Sequence, residues 1–443
     1  MFQNVANLFR IPDIRRRILV TLGFLLVYRV GWNIPIPGID LDVLKSLGGG
    51  GGEGSDFAQL FGIISGGGIF SCALFSLGIM PYISASIIFS LLTKVVPSLE
   101  AVAKEGSAGQ RKINRWTRLA TVPLALVQAI ILVANVYKSS DTPARLPLLP
   151  DGFGLAILAV LALTAGTILL MWIGEQITEY GVGNGISLLI MAGIIARVPD
   201  AIVQMIGNTE GGLLPFVLFI LFIAVVVAVV YITKGMRKIP VQYAKLTRGR
   251  KVYGGQRHFL PIKVNQAGVM PVIFSSALLS FPSLIGSAIG WTILRDAFSQ
   301  GTWTYTVLDI ALIFFFSFFW NSLMFNPAEM SKNMKEHGSF IPGIRPGKKT
   351  AEFLEKVMSR ITLAGAAFLA IIASVPHQVA GLISKDIPVE VAYFLGGTSI
   401  LIVVSVALDL VDKLNSALLM RDYGGFIEGG DGAARRRAAK RER

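Results

Sequence analysis

Cysteine and histidine are nearly missing from this chain of 443 residues, which has one cysteine, Cys72, and three histidines. A single thiol excludes any intrachain disulfide, and so few imidazoles leave little material for a metal site or a Ser-His pair. Charge is scarce too, at 15% of residues, where soluble domains carry roughly 25%. Acid is the rarer sign, with 27 Asp or Glu against 41 Lys or Arg and a net charge of +14. Apolar residues make up 53% of the chain and mean hydropathy is +0.64, the composition of a polytopic membrane protein. Arg15, Arg16 and Arg17 directly precede an apolar run, but no small-residue cleavage site follows it. The first apolar segment is therefore expected to remain as an anchor and not to be removed as a signal peptide.

A bilayer core about 30 Å thick asks for about 20 apolar residues per helix. Ten segments qualify, near 18–34, 76–96, 117–137, 153–174, 184–200, 213–233, 267–288, 306–325, 357–379 and 388–412. Basic residues resist transfer and stay cytoplasmic. With the N-terminus inside, 34 of the 41 Lys and Arg fall in cytoplasmic segments and six fall outside. Both termini are expected to be cytoplasmic.

The chain also reads as duplicated. Gly78, Met80, Pro81, Ile83, Ser86 and Ser90 recur 190 positions later as Gly268, Met270, Pro271, Ile273, Ser276 and Ser280, and Gly185, Ser187, Leu189 and Ile190 recur at a shift of 212 as Gly397, Ser399, Leu401 and Ile402. Ten spans divide into two halves of five, residues 1–212 and 213–443, and an odd count turns the second half over in the bilayer. The expected fold is all-α, two inverted five-helix halves around a central pore. Spans 2, 5, 7 and 10 are expected to surround a pseudo-twofold axis, because repeated membrane units place their pathway at the repeat interface.

Secondary transporters of this kind need intramembrane charge for ion or proton ligands, and the sequence offers little. Arg29 sits late in span 1, where a snorkelling side chain accounts for it. Glu175 and Glu179 are expected in a short cytoplasmic turn, and Asp409 and Asp412 at the cytoplasmic end of span 10. What the repeats do share is isoleucine: Ile79, Ile83, Ile186, Ile190, Ile273 and Ile402. The first four form two i, i+4 pairs, each on one helix face. Such residues often face lipid or a neighbouring helix, but an apolar constriction can also close a pore by dewetting. Leu60 to Cys72, LFGIISGGGIFSC, is apolar, too short to span, and broken by Gly66, Gly67 and Gly68. It reads either as a re-entrant segment or as an amphipathic helix on the outer surface. The Gly48–Gly52 run before it is a tether and not a phosphate loop, since no strand precedes it and no Lys-Ser/Thr follows.

Residues 234–263 hold nine Lys or Arg and no acid, including Arg237, Lys238, Arg248, Arg250 and Lys251, interleaved with Tyr243, Tyr253 and His258. Lipid head groups, phosphate-rich nucleic acid or an acidic protein would all be attracted there. The stretch FIPGIRPGKKT, Phe340 to Thr350, surrounds Arg345 with prolines and glycines and reads as a shaped turn that presents the guanidinium. Arg435 to Arg443 form a basic tail.

Eight ordered motifs resemble the SecY family of protein-conducting channel subunits over nearly the whole chain: IPIPGID (34–40), LGIMPYISASII (77–88), KEGSAGQRKINRWTR (104–118), GEQITEYGVGNGIS (174–187), RKIPVQYAK (237–245), FNPAEM (325–330), FIPGIRPG (340–347) and LGGTSILIVV (395–404). The resemblance implies that the six isoleucines form a hydrophobic pore ring. It implies a plug at residues 60–72, with Leu60, Ile63, Ile64, Gly66, Gly67, Gly68, Ile69, Phe70 and Cys72. It also implies a lateral gate between spans 2/3 and 7/8, with Ser84, Gln128, Ser275 and Phe281. Arg237, Lys238, Arg248, Arg250, Lys251 and Arg345 match docking sites for the ribosome and the SecA motor. The implied partners are SecE and SecG in a heterotrimer, SecA, the ribosome, preproteins and signal peptides, membrane lipid, and SecDF and YidC, in the bacterial cytoplasmic membrane. The plug is more apolar than in many relatives, at Gly68, Ile69, Phe70 and Ser71. No cofactor is implied. The rival reading as a solute transporter is disfavoured by the scarcity of midplane charge. An intramembrane enzyme is disfavoured because His258 and His337 lie in cytoplasmic loops and His377 near the outer end of span 9.

Overall fold

The computed structural model describes residues 12–37, 73–134, 153–196, 198–199, 214–243, 246–248, 251–253, 257–289, 291, 297–298, 302–383 and 397–417. The helices are α1 (Pro12–Gly31), α2 (Met80–Val95), α3 (Pro97–Lys104), α4 (Ser107–Leu132), α5 (Phe153–Tyr180), α6 (Gly185–Ile195), α7 (Leu214–Thr233), α8 (Met270–Ile289), α9 (Trp303–Met324), α10 (Pro327–Glu336) and α11 (Lys348–Ile383), followed by α12 (397–417). The strands are β1 (Met236–Tyr243), β2 (Leu246–Arg248), β3 (Lys251–Tyr253), β4 (Arg257–Lys263) and β5 (Ser339–Phe340).

Among the described residues, four stretches are long and apolar enough to cross a bilayer by themselves, Ser107–Leu132, Gly154–Tyr180, Trp303–Glu336 and Lys348–Ser374. A fifth forms if Met80–Thr93 and Pro97–Lys104 are counted together across their 97° bend. The bend falls at Val96, where Pro97 forces the preceding residue into an extended conformation. Helix occurs in every one of the ten expected segments, but those in 184–200, 213–233 and 267–288 include apolar helices shorter than a full span.

Several expected loops are ordered elements instead. Residues 107–116, assigned by their charge to a loop, are the first turns of α4. Glu175 and Glu179 are not in a turn, because α5 continues to Tyr180, and Glu175 there pairs with Arg118 Nε of α4 at 2.5 Å. The basic stretch 234–263 contributes β1 and β4 to a sheet of order β4-β1-β5 and forms a separate β2-β3 hairpin between them. All pairings are antiparallel: Met236 lies opposite Lys263 and Gln242 opposite Arg257, while Gln242 and Tyr243 also pair with Phe340 and Ser339. Alternation explains the sheet's fold, since Ile239 and Val241 point inward between exposed Lys238 and Pro240.

The chain folds as two compact units, one containing the described residues up to Ala196 and again from Val406, the other containing Arg197–Ser405. In the first, the segment before α2 is pinned to the end of α1: Leu74 N donates to Ile34 O at 2.8 Å, and Phe75 stacks on Tyr28. Thr21 of α1 accepts from Val182 N at 3.1 Å, which fixes the turn between α5 and α6. The second unit has two cores. Val229, Val272, Ile313, Leu369, Ile372 and Leu401 join α7, α8, α9, α11 and α12. Ile239, Val241, Ile262, Ile341, Leu354, Val357, Met358 and Ile361 pack the sheet against the start of α11. This second core is why α11 begins at Lys348, before the expected start at 357. Its first turns are amphipathic and bury their apolar face on the sheet.

The sequence repeat has a local structural counterpart. Gly78 and Gly268 adopt φ of 59° and 63°, a left-handed conformation in which glycine has no side chain to strain, and each precedes a helix that opens with Met-Pro. Leu74 and Val264, again 190 positions apart, each set their carbonyl where a Cβ on a glycine of a later helix would strike it, Gly166 of α5 and Gly365 of α11.

Candidate functional site

Of the six isoleucines, four belong to the first unit. Ile79 caps the N-terminus of α2 and Ile83 lies one turn on, Ile83 N donating to Ile79 O at 3.1 Å, with both side chains buried. Ile190 of α6 is buried and Ile186 half-buried. Asn184 orients this helix by accepting from Ile186 N and Ser187 N at 3.1 and 3.4 Å, an N-cap in place of missing intrahelical partners. Ile273 of α8 and Ile402 of α12 belong to the second unit and are half-buried, beside the core residues Val272 and Leu401. The plug residues from Leu60 to Cys72 lie outside the described residues, as does Arg250.

The residues expected to line a lateral gate lie in helices α2, α4 and α8. Ser84 of α2 and Gln128 of α4 are 2% and 6% exposed, and Ser84 Oγ and Gln128 Oε1 have no hydrogen-bond partner among the described residues. Phe281 lies in α8, one residue before Pro282. Ser275 of α8 is fully buried, and its Oγ donates to Asp309 Oδ1 of α9 at 2.5 Å. The same interface holds Phe274 edge-on against Phe316 and Trp320, at 5.6 and 5.2 Å.

Asp309 is a buried acid that the expected scarcity of intramembrane charge did not single out. The residue stands alone in WTYTVLDIALIFFF, in the middle of an apolar run, and that isolation was the available signal. It lies about 9 Å along α9 from Trp303 at the usual helical rise and is 8% exposed. Burying a carboxyl is costly unless it is hydrogen-bonded. An interhelical hydrogen bond in a membrane returns about 0.6 kcal/mol on average and about 1.7 at most. The Ser275 bond therefore offsets only part of the cost of burying this carboxyl.

On the basic sheet, Arg237 and Lys238 are exposed on β1, and Arg248 faces Lys251 at the end of the β2-β3 hairpin. Arg345 is exposed in the turn after β5. Gly343 and Gly347 shape that turn at φ of 84° and 104°. Ser331 Oγ of α10 donates to Gly347 O at 2.6 Å, and Thr350 Oγ1 of α11 donates to Arg345 O at 2.8 Å. The backbone is therefore held from both sides while the guanidinium is presented to solvent, as the sequence led us to expect. The two basic stretches are not separate loops: the β1-β5 pairing and their shared core make them one platform. Among the described residues no group of three His, Cys, Asp or Glu could hold a metal ion.

The SecY family model matches residues 73–411. The protein translocase subunit SecY of Streptomyces scabiei is 41% identical over 442 residues, 96% of this chain and all of that one. Its counterparts in Corynebacterium glutamicum and Escherichia coli K12 are 42% and 41% identical, covering 96% and 93% of this chain and 99% and 93% of their own. A solved protein-conducting channel aligns over 93% of this chain and 96% of its own with a TM-score of 0.62 at 19% identity. Sec61 from a canine ribosome-channel complex aligns over the same shares with a TM-score of 0.58 at 17% identity; at such identities the likeness speaks for the fold. On the family match and the near full-length identity to translocase subunits, the chain belongs to the SecY family.

Proposed function

We propose that this chain is the pore-forming subunit of a protein translocase. It passes unfolded preproteins across the cytoplasmic membrane and releases apolar segments sideways into the bilayer through a seam between α2/α4 and α8/α9. The observation that carries this is the identity of 41% with translocase subunits over 96% of the chain. The six isoleucines are the seal of the resting pore, and residues 60–72 are its plug. Ser84 and Gln128, buried and without a hydrogen-bond partner among the described residues, support the seam, since polar groups left open in apolar surroundings are costly unless another element meets them. The rigid, exposed Arg345 turn and the basic sheet receive SecA and the ribosome. Those partners and the proton motive force supply the energy, and the chain itself is not an enzyme. It works with SecE and SecG, has ten spans in two inverted halves, and keeps both termini in the cytoplasm.

The test is purification in mild detergent with small one- or two-span partners, then reconstitution with SecA, ATP and a preprotein in sealed vesicles. Protease-protected preprotein inside the vesicles is expected. Its absence under conditions where a known translocase works would refute the reading.

A further inference from the structure

We propose that Asp309 is a positioning residue that locks gate helix α8 to α9, and that this lock sets how apolar a passing segment must be to part the seam. The inference rests on the channel reading above and adds a residue that the gate motifs do not include. Three observations carry it. Asp309 is a buried acid inside a span, and its carboxyl is hydrogen-bonded to Ser275 of the neighbouring helix. That bond, from Ser275 Oγ to Asp309 Oδ1, is short at 2.5 Å and buried at both ends. Its donor lies on α8, next to Phe274, whose edge contacts with Phe316 and Trp320 join the apolar packing of Val272 and Ile313 in the same interface.

Aromatic edges tolerate small slides and rotations, because dispersion depends weakly on direction. A hydrogen bond to a carboxylate does depend on direction, so among these interactions it is the one that fixes the register of α8 on α9. With the lock in place, a segment entering the seam must displace two helices together. Without it, α8 can move by itself, and a less apolar segment suffices.

The experiment uses the full complex in sealed vesicles with Asp309→Leu, Asp309→Asn, Ser275→Ala and the Ser275→Ala/Asp309→Leu pair. Leucine keeps the approximate size and removes the carboxylate acceptor, leaving Ser275 Oγ only the longer contact to the backbone O of residue 309, at 3.3 Å, and insertion of this variant is not at risk, because an apolar residue replaces a carboxylate. Asparagine keeps an acceptor oxygen. Two readouts are taken. One is transport of a preprotein whose signal segment is shortened leucine by leucine. The other is the spin-label distance between positions 278 and 308, both exposed in the wild type, in a Cys72→Ser background.

Asp309→Leu is expected to pass weakly apolar signals about threefold better, the factor an average membrane hydrogen bond represents, and to broaden the distance distribution. Asp309→Asn should behave as wild type, and the double variant should be no stronger than either single variant. An unchanged threshold with an unchanged distance for Asp309→Leu overturns the proposal, as does an Asp309→Asn variant that behaves like leucine, or additive effects of the two singles. If the wild type carries no preprotein, the channel reading fails, and the distance measurement still decides whether Asp309 holds α8.

Discussion

Gly185 and Gly397, 212 positions apart in matching sequence, make the same close approach. Gly185 opens α6 and Gly397 opens α12, and a Cβ added to either would run into a backbone carbonyl of the preceding long helix, that of Gly174 in α5 and of Ile372 in α11. Small residues at such crossings let membrane helices pack backbone to backbone. The repeat is therefore preserved in packing as well as in letters.

Alanine at either position should cost about 1 to 3 kcal/mol, the usual penalty of overpacking, because the obstacle is backbone and cannot swing away. Gly23 of α1 provides the control, since nothing lies within 4 Å of its added Cβ. Gly23→Ala should leave stability unchanged or raise it by up to about 1 kcal/mol, because alanine is the better helix former and meets open space there. Thermal unfolding of the purified complex, followed by loss of the monodisperse peak on size-exclusion, measures all three. Equal midpoints for Gly185→Ala and Gly23→Ala would contradict the packing described.

These glycines show what the sequence could and could not convey. The repeat pairs and the turn around Arg345 were legible because glycine and proline restrict the backbone locally. The basic stretch 234–263 was legible as a charged surface but not as a sheet. Its charges dominate the composition, and the two-residue alternation around Ile239 and Val241 is short. The early start of α11 depends on apolar partners in that sheet, so nothing local announces it. Asp309 was missed for a different reason: one acid in a long apolar run barely alters the run's hydropathy, and its partner Ser275 is 34 positions away.

The proposed seal predicts a leak. Ile83→Gly, Ile190→Gly and Ile402→Gly together remove three branched side chains from repeat-related helices, and a constriction that closes by dewetting fails when it is widened. Single-channel recording of the reconstituted complex without substrate should show resting conductance where the wild type shows none. A silent triple variant that still carries preprotein would remove the isoleucines from the seal.

Charge reversal should separate the two proposed cytoplasmic partners. Arg248→Glu with Lys251→Glu alters the facing pair on the β2-β3 hairpin and should weaken ribosome binding. The slope of log affinity against log salt should fall by about 0.7 to 0.9 for each phosphate left without its cation. Arg345→Glu should stop SecA-driven transport while leaving the assembled complex intact, because the turn's backbone is held by Ser331 and Thr350 and not by the guanidinium. Transport by Arg345→Glu at the wild-type rate would rule out this site.

The lateral seam makes the most direct prediction. The family resemblance pairs Ser84 of α2 with Phe281 of α8, and small hydroxyl residues along these helices, Ser84, Ser86, Ser275 and Ser276, suit surfaces that must approach and part again. Cysteines placed at 84 and 281 in a Cys72→Ser background can form a disulfide only if their Cα atoms come within about 7 Å. Oxidation should yield an intrachain cross-link detectable after cleavage between the two positions. It should block both secretion and membrane insertion, and reduction should restore both. Normal insertion through a fully cross-linked channel would exclude a gate along this seam, and failure to cross-link in any state, with or without substrate, would reject the pairing of the two helices.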